Sequence, residues 1–467
     1  MWFSLDNIVA RAKRRWFAYP GSDIYGGLAN ARDLWPYGVE VKRNIENNRR
    51  KYFVQTRSDI IGLDSQILMN SKVREASGHV GGFNEPLIDC KKCKSRYRAD
   101  KLIEEYKEKK DDKDLPKNWK WENTPPADIL DYINEKKIKC PKCGALEWTE
   151  PKKFNGMFKT EQGTIEWEGA EIFLRPETAQ GIFVNFKNII DTTRSRIPFG
   201  IAQIGKVFRN EITPGNFMFR VREFYQMEIE YFVENDEKIG MKRFEEWKKA
   251  SKDRWINQMG INEKKLKFRD HDKDELSFYS KGTCDVEYEF PRWRGELQGI
   301  AYRTDYDLRQ HMEHSGKDLQ YNDPQTGKRY VPHVVEPSRW LTRAILTVLI
   351  DAYDEEEYTN GKWEKETRTV VRFHKNTAPV KFAIIPLVKK DEKMVALAKE
   401  IYDKLSQDYM CEFDDSGNIG KCYRRQDEIG TPYCITVDNV SLEDGTVTVR
   451  DRDTMQQERL KIEQITF

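Results

Sequence analysis

Four of the eight cysteines stand in two close pairs, Cys90/Cys93 and Cys140/Cys143. Paired C-x-x-C units outside a secreted setting suggest a metal before a disulfide. Two such knuckles supply four thiolates, the set that a tetrahedral structural zinc site uses. The text around Phe208-Arg209-Asn210-Glu211 and Arg220-Val221-Arg222-Glu223-Phe224 offers different chemistry. It reads as two antiparallel strands joined by a loop around Pro214-Gly215-Asn216. An arginine on each strand can grip phosphate oxygens bidentately, and Phe224 offers a flat face for a base. From the residues alone, an ordinary hairpin with surface ion pairs fits equally well. A third element is Val335-Glu336-Pro337-Ser338, followed by an apolar helix from Leu341 that carries Arg343. A lone arginine in a helix is usually structural.

The chain has 467 residues, enough for two or three domains with ample cores. Charged residues make up 34%, apolar ones 38%, and the net charge is +2. Charge alone therefore does not announce a nucleic-acid partner, although phosphate contacts are local and tolerate a near-neutral whole. No apolar run approaches the roughly 20 residues of a membrane span. Residues 1–15 read as an amphipathic first helix without the apolar centre of a signal peptide, so a cytoplasmic protein is expected.

Periodicity predicts a helix over 39–53 and a strand over 60–69. Residues 90–150 are Lys-rich, carry Pro125-Pro126 and lie between the cysteine pairs, which suggests an insertion. Strands are expected at 172–174, 201–208 and 223–233, with a helix over 238–259. The acidic and then polar stretch 354–369 reads as a linker. Beyond it, a strand (380–386), a helix (393–405) and strands at 433–437 and 446–450 suggest a small separate α/β domain.

These stretches resemble motifs 2 and 3 of class II aminoacyl-tRNA synthetases, and the wider text is similar to the bacterial dimeric glycyl-tRNA synthetases. The matching segments run in order. They are Gly21 through Gly27, Ala76-Ser77-Gly78-His79-Val80, Leu174 through Gly181, Phe208 through Phe232, Arg269 through Leu276, Gly295-Glu296-Leu297 and Tyr423 through Pro432. The resemblance implies an α+β catalytic domain, an antiparallel sheet flanked by helices, over 1–89 and 151–353. It further implies the Cys-pair insertion at 90–150, a linker at 354–376 and a C-terminal α/β anticodon-binding domain at 377–467. The implied activity is glycine–tRNA ligation with ATP and Mg²⁺, in a cytoplasmic homodimer that binds tRNA(Gly) and no membrane.

Carried over residue by residue, the ATP set is Arg209, Asn210, Glu211, Phe219, Arg220, Val221, Arg222, Glu223, Phe224, Glu296, Leu297, Trp340 and Arg343. Arg209, Glu211 and Arg343 would be catalytic, Phe224 and Glu211 would fix the adenine, and Glu296 would hold Mg²⁺, which prefers carboxylate oxygen. The glycine set is Arg98, Glu177, Phe224, Tyr225, Gln226, Met227, Glu228, Glu336, Pro337 and Ser338. Three acids around one ammonium would anchor glycine and leave no room at Cα. Arg424, Arg425, Arg450 and Arg452 are candidates for RNA contact. Two alternatives remain. One is another class IIa synthetase, for Thr, Pro, Ser or His. The other is a catalytically inactive, synthetase-like nucleic-acid-binding paralogue.

Several positions depart from the family in one direction. Trp16, Trp35, Trp293 and Trp340 stand where the family has glycine, and Arg32, Arg49, Arg50, Arg74 and Arg294 stand where it has tryptophan. Glycine supplies backbone room, and arginine in place of a buried indole would bury unpaired charge. A source that reads UGA as glycine and some CGN codons as tryptophan would account for both. The motif 1 match is weakest, because Asn70 is followed by Ser71 where proline is usual.

Overall fold

The computed structural model describes residues 5–15, 17–110, 124–163, 170–273, 275–277, 279–359 and 363–465. Trp16 and Asp274, both named above, lie outside the described residues. The central element is a seven-stranded sheet. Its strands in chain order are β1 (Ile60–Gly62), β2 (Phe199–Phe208), β3 (Glu223–Val233), β4 (Leu266–Asp270), β5 (Gly282–Glu289), β6 (Arg294–Thr304) and β7 (His333–Trp340). Across the sheet the order is β4-β5-β6-β7-β3-β2-β1. Every pairing is antiparallel except that of β1 with β2.

Alternation along β3 and β7 sorts the side chains onto two faces. Met227, Ile229 and Tyr231 of β3 and Val335 of β7 enter the largest core. That core is closed by α1 (Pro36–Arg50), α3 (Glu237–Asp253) and α4 (Leu341–Ala352). A second core holds α2 (Ala179–Thr193) against Phe199, Ile201 and Phe232. Gln226, Glu228 and Glu230 of β3 and Glu336 and Ser338 of β7 alternate with the core-facing residues, yet all are buried. Five buried polar side chains on one sheet face mark a site rather than a packing layer.

The cysteine pairs flank a body with its own core of Ile88, Leu102, Ile103, Ile129, Ile133 and Trp148. It comprises a three-stranded sheet (Asn84–Asp89, Arg96–Arg98, Lys152–Asn155) and the helices Ala99–Lys110 and Pro126–Glu135. At the C-terminal end, β8 (Phe382–Pro386), β9 (Cys411–Phe413), β10 (Tyr433–Val437), β11 (Thr446–Asp451) and β12 (Gln457–Lys461) form a five-stranded sheet. Its order is β9-β8-β10-β11-β12, with β8 parallel to both neighbours. The helices α5 (Glu392–Leu405) and α6 (Ile419–Ile429) cover it.

Three expectations change. The helix expected over 39–53 starts at Pro36, where the ring fits the first turn, and passes into a π-helical turn at Lys51–Gln55. Of the strand expected over 60–69, only Ile60–Gly62 pairs; Arg175 Nη1 then bonds Ser65 O at 2.8 Å as the chain leaves the sheet. The stretch read as a linker is a β-hairpin, Tyr353–Thr359 with Lys365–Val371. Its alternating acids and hydroxyls looked like a solvated tether, but Arg368 Nη1 is buried against Asp427 of α6 at 3.0 Å.

Candidate active site

The β2–β3 hairpin forms as the residue text suggests. Phe208 pairs with Glu223, Arg209 N donates to Arg222 O at 2.9 Å, and the loop closes through Gly215 and Arg220. Asn30 braces that loop by donating to the carbonyls of Gly215 (3.1 Å) and Arg220 (2.7 Å). Arg209 Nε donates to Pro176 O at 3.1 Å, and its guanidinium lies 5.6 Å from the Phe224 ring. Arg343, in the first turn of α4, donates Nε to Phe219 O (3.1 Å) and Nη1 to Glu296 O (2.8 Å) and Oε2 (3.3 Å). Burial pushes the Arg343 guanidinium down to about 10 against the pull of Glu296. An anion is thus welcome beside it, because a phosphate would offset that burial.

Phe224, Arg209, Arg343 and Glu296 therefore converge, as does Phe219, whose ring lies 4.2 Å from the Arg343 Cζ. Asn210 bonds Gly156 O through its backbone, and Arg222 Nε holds Glu211 O at 2.9 Å. Glu223 sits apart, ion-paired to Lys206 on the exposed side of the hairpin. Val221 packs with Phe224, and Leu297 turns away into the main core. Trp340 breaks the expected arrangement. Its indole is parallel to the Phe224 ring, with centroids 4.6 Å apart and an interplanar angle of 4°, and the Arg343 Cζ is 3.5 Å from its centre. A planar ring thus already occupies the interval between Phe224 and Arg343.

Next along the same sheet face lies a carboxylate pocket. Glu228 accepts from Gln226 Nε2 (2.9 Å) and from the Thr178 hydroxyl, and Gln226 Nε2 also reaches Ser338 Oγ (2.8 Å). Glu177 accepts from Gln180 (2.9 Å) and faces His79 Nε2 at 3.6 Å. The loop that carries Glu177 is fixed by Arg175, whose Nε holds Lys206 O at 2.7 Å. A Cβ at Gly205 would meet Arg175 Nη2 at 2.2 Å, so a larger residue there would push the guanidinium aside. Glu336 accepts from Arg303 Nη1 (2.8 Å), while Arg303 Nε and Nη2 clamp Asp307 at 2.9 Å each.

Electrostatics divides the acids. Burial would raise Glu177, but His79 and then Arg303 and Gln180 hold its carboxyl well below the ordinary carboxylate range. Burial, joined by the charges of Glu336 and Glu177, pushes Glu228 far up. Glu230 is raised by burial, Glu336 and Glu228, and neither of its oxygens has a hydrogen-bond partner. Arg303 is the guanidinium that ion-pairs a pocket acid, while Arg49 and Arg175 act on Glu228, and Arg74 on Glu177, from farther off; Glu228 and Glu230 stay raised all the same, the condition under which a buried ammonium is bound.

Sequence reasoning missed Arg303, Asp307 and Glu230. The signal was available for Glu230, which continues the i, i+2 spacing of Gln226 and Glu228 on one strand face. Tyr225 faces outward under Lys42 and Lys206, Met227 lies in the core, and Pro337 shares its strand with Glu336. Arg98 ion-pairs Glu85 and Asp100 at the edge of the insertion.

The four insertion thiols converge. Their sulfurs all lie within 4.8 Å of one another, with Cys90–Cys143 and Cys93–Cys140 at 3.6 Å. The two knuckles share one backbone geometry. Lys94 N donates to Cys90 O and Gly144 N to Cys140 O, and both Lys94 (φ 57) and Gly144 (φ 71) are left-handed. Zn–S bonds of about 2.3 Å in a tetrahedron put sulfurs about 3.8 Å apart, which these positions fit.

The RNA candidates divide. Arg450 is buried against Asp427 at 2.8 and 3.0 Å, and Arg452 binds the carbonyls of Gly430 and Phe373, so both are internal braces. Arg425 pairs with Asp414, and Arg424 stays exposed beside Glu366.

Comparison with known proteins decides the family. The chain is 54% identical over 464 residues to a glycine–tRNA ligase of Acetivibrio thermocellus, covering 99% of this chain and 97% of the relative. The chain belongs to the glycine–tRNA ligase family. Similar relatives occur in Alkaliphilus oremlandii (52% over 463 residues, 99% and 97% covered) and Geobacillus thermodenitrificans (54% over 459 residues, 98% and 95% covered). A glycyl-tRNA synthetase insertion domain 1 matches residues 85–121, and an anticodon binding domain matches 381–466. This synthetase has no helix among the described residues long and apolar enough to cross a membrane.

Proposed function

We propose that the chain activates glycine with ATP to glycyl-adenylate on a class II catalytic sheet (1–89 and 151–353), then passes the glycyl group to the 3' end of tRNA(Gly). One observation carries this reading. Phe224, flanked by Arg209 and Arg343, stands on the same sheet face as the pocket of Glu177, Glu228 and Glu336. Adenine takes the interval beside Phe224 that the Trp340 indole fills in this structure, with Glu211 beside it. Arg209 holds the α-phosphate, Arg220 and Arg343 take the β- and γ-phosphates, and Glu296 would hold Mg²⁺. The glycine carboxylate attacks the α-phosphorus and pyrophosphate leaves. Positioning and charge stabilisation of the phosphoryl oxygens suffice for this step. The ammonium replaces the proton that the crowded Glu228 otherwise keeps, and three acids around it would leave no room for a side chain on Cα.

Cys90, Cys93, Cys140 and Cys143 would hold a zinc ion that fixes the 90–150 insertion; four thiolates leave no open coordination position, so its role is structural. The β8–β12 body binds the anticodon stem. Ile24, Tyr25 and Leu28 expose apolar side chains that a second copy would cover in a homodimer. Eight cysteines without a disulfide among them suit a cytoplasmic setting.

Trp340, whose indole fills the base position, is the one observation that speaks for the alternative of a synthetase-like nucleic-acid-binding protein without catalysis, which the full-length identity to glycine–tRNA ligases does not favour. ATP–pyrophosphate exchange scored across the twenty amino acids separates the readings. Glycine-dependent exchange is expected. Exchange with alanine, serine or threonine above that with glycine would overturn the assignment.

A further inference from the structure

Four arginines sit where this fold calls for an apolar plane. Arg49 continues the buried stripe Gly38, Val41, Ile45 on α1. Arg339 occupies a core-facing position of β7, across from Met227, and its guanidinium lies against the rings of Phe53 and Trp255. Arg254 is fully buried at the end of α3, and Arg74 is buried on the short helix Lys72–Ala76. None of the four ion-pairs among the described residues, and each leaves guanidinium nitrogens buried without a partner. Arg49, Arg254 and Arg339 lie close enough to repel one another, adding to the burial that already disfavours their charge. The hydrogen bonds they do make are informative. Arg254 makes one, to Ile45 O; Arg339 makes one, to Gln298 Oε1; Arg74 makes one, to Met69 Sδ. A flat group with a single N–H donor satisfies each site, and a fork with five donors does not. Trp255, next to Arg254, shows the fit: its Nε1 donates to the same Gln298 oxygen, at 3.0 Å.

Two tryptophans show the opposite misfit. The Trp340 indole fills the planar interval between Phe224 and Arg343. Trp363, in the turn of the Tyr353–Thr359/Lys365–Val371 hairpin, is left-handed (φ 65) and 90% exposed, so a bulky residue bears steric strain there and gains no packing. Glycine removes both problems. Arg50 and Arg294 are exposed, and Trp35 caps α1 with extended backbone while stacking on Tyr19. Those three positions show no misfit.

We propose that the polypeptide made in the cell carries glycine at 340 and 363 and tryptophan at 49, 74, 254 and 339, because its source reads two codon classes differently from the reading that yields this sequence. The 340 position rests on the nucleotide site proposed above; the other five rest on packing alone. The gene gives the first check. Trp340 and Trp363 share a codon that differs from the codon of Trp255, and the four arginines share a subset of arginine codons; one common tryptophan codon for 255, 340 and 363 overturns the proposal. Peptide mass spectrometry of the endogenous protein, cleaved after lysine, gives the second. Glycine at 340 and 363 with tryptophan at the four core positions is expected, and tryptophan at 340 or arginine at 254 and 339 overturns it. A recombinant chain carrying Trp340→Gly, Trp363→Gly, Arg49→Trp, Arg74→Trp, Arg254→Trp and Arg339→Trp together separates the two proposals. If endogenous peptides carry glycine at position 340 while this variant shows no glycine-dependent exchange, the recoding stands and the catalytic reading fails.

Discussion

Arg303 divides one guanidinium between two acids: Nη1 donates to Glu336 at 2.8 Å, while Nε and Nη2 hold Asp307 at 2.9 Å each. The helix Tyr306–Ser315 and strand β7 are thereby joined at the carboxylate pocket, and Glu336 is held in place there. Arg303→Met leaves both acids buried and unpaired, which costs about 3–5 kcal/mol for a broken buried pair. The urea midpoint is expected to fall accordingly, with Arg303→Lys in between because it keeps the charge and loses the fork. A midpoint unchanged in Arg303→Met would remove the network from the stability argument.

Glu228 gives a pH prediction with a definite sign. Its folded pKa lies well above the ordinary value of 4.5, chiefly through burial and then through Glu336 and Glu177. Above pH 4.5 the native state therefore holds a proton that the unfolded chain has released. Stability of the ligand-free protein then falls as pH rises toward the folded value. Glu228→Gln removes that loss, so the variant gains on the parent as pH increases through this window. Glycine affinity is expected to drop at the same time. Denaturant titrations from pH 5 to 9 check the first claim, and calorimetric glycine titration checks the second.

The four sulfurs of the insertion predict a local dependence on metal. Cys140→Ser, or treatment with a strong chelator, is expected to abolish stoichiometric zinc and expose 90–150 to proteolysis. The β1–β7 sheet has its own cores and stays resistant. Elemental analysis and limited proteolysis give the readouts; full-length resistance after zinc loss would show that the knuckles hold without metal.

Much of this is legible in the amino-acid text alone. The β2–β3 hairpin, the cysteine knuckles and strands β3 and β10 follow from alternation and spacing, signals carried within a few residues. What was missed depends on contacts far apart in the chain. Arg303 becomes a site residue only when β6 lies beside β7, and the 354–369 stretch becomes structure only when Arg368 finds Asp427, 59 residues on. Arg450 and Arg452 looked like RNA ligands because basic residues on a candidate RNA-binding domain invite that reading; burial reversed it. The acids proposed for the glycine site needed the family resemblance, since a lone glutamate on a strand carries no signal of its own.

Asp427 bridges Arg368 and Arg450, all three being buried. Asp427→Asn leaves Arg450 without a counter-charge and Arg368 with Glu356 alone, and is expected to destabilise the C-terminal body by about 3–5 kcal/mol. Arg424→Ala, on the exposed face, keeps the fold and weakens tRNA binding, and it lowers the dependence of affinity on salt. Thermal unfolding and filter binding at several salt concentrations distinguish a brace from an RNA contact. If Arg424→Ala leaves the salt dependence unaltered, the anticodon stem lies elsewhere.

The last prediction concerns Arg343, whose Nη1 holds both the backbone and the side chain of Glu296. Under the proposed function its guanidinium would serve two ends: it would present charge to the phosphates and keep Glu296 pointed where Mg²⁺ would be held. Made on the Trp340→Gly background, so that the base interval is open, Arg343→Ala is expected to slow ATP–pyrophosphate exchange about 10²–10³-fold, the loss typical of one preorganised charge donor. Arg343→Lys restores charge without the fork and recovers only part of it. Glu296→Gln leaves Arg343 in place but weakens the hold on the cation, so its defect is expected to shrink as Mg²⁺ rises, whereas that of Arg343→Ala does not. Equal relief of both variants by Mg²⁺ would mean that Arg343 acts only through Glu296.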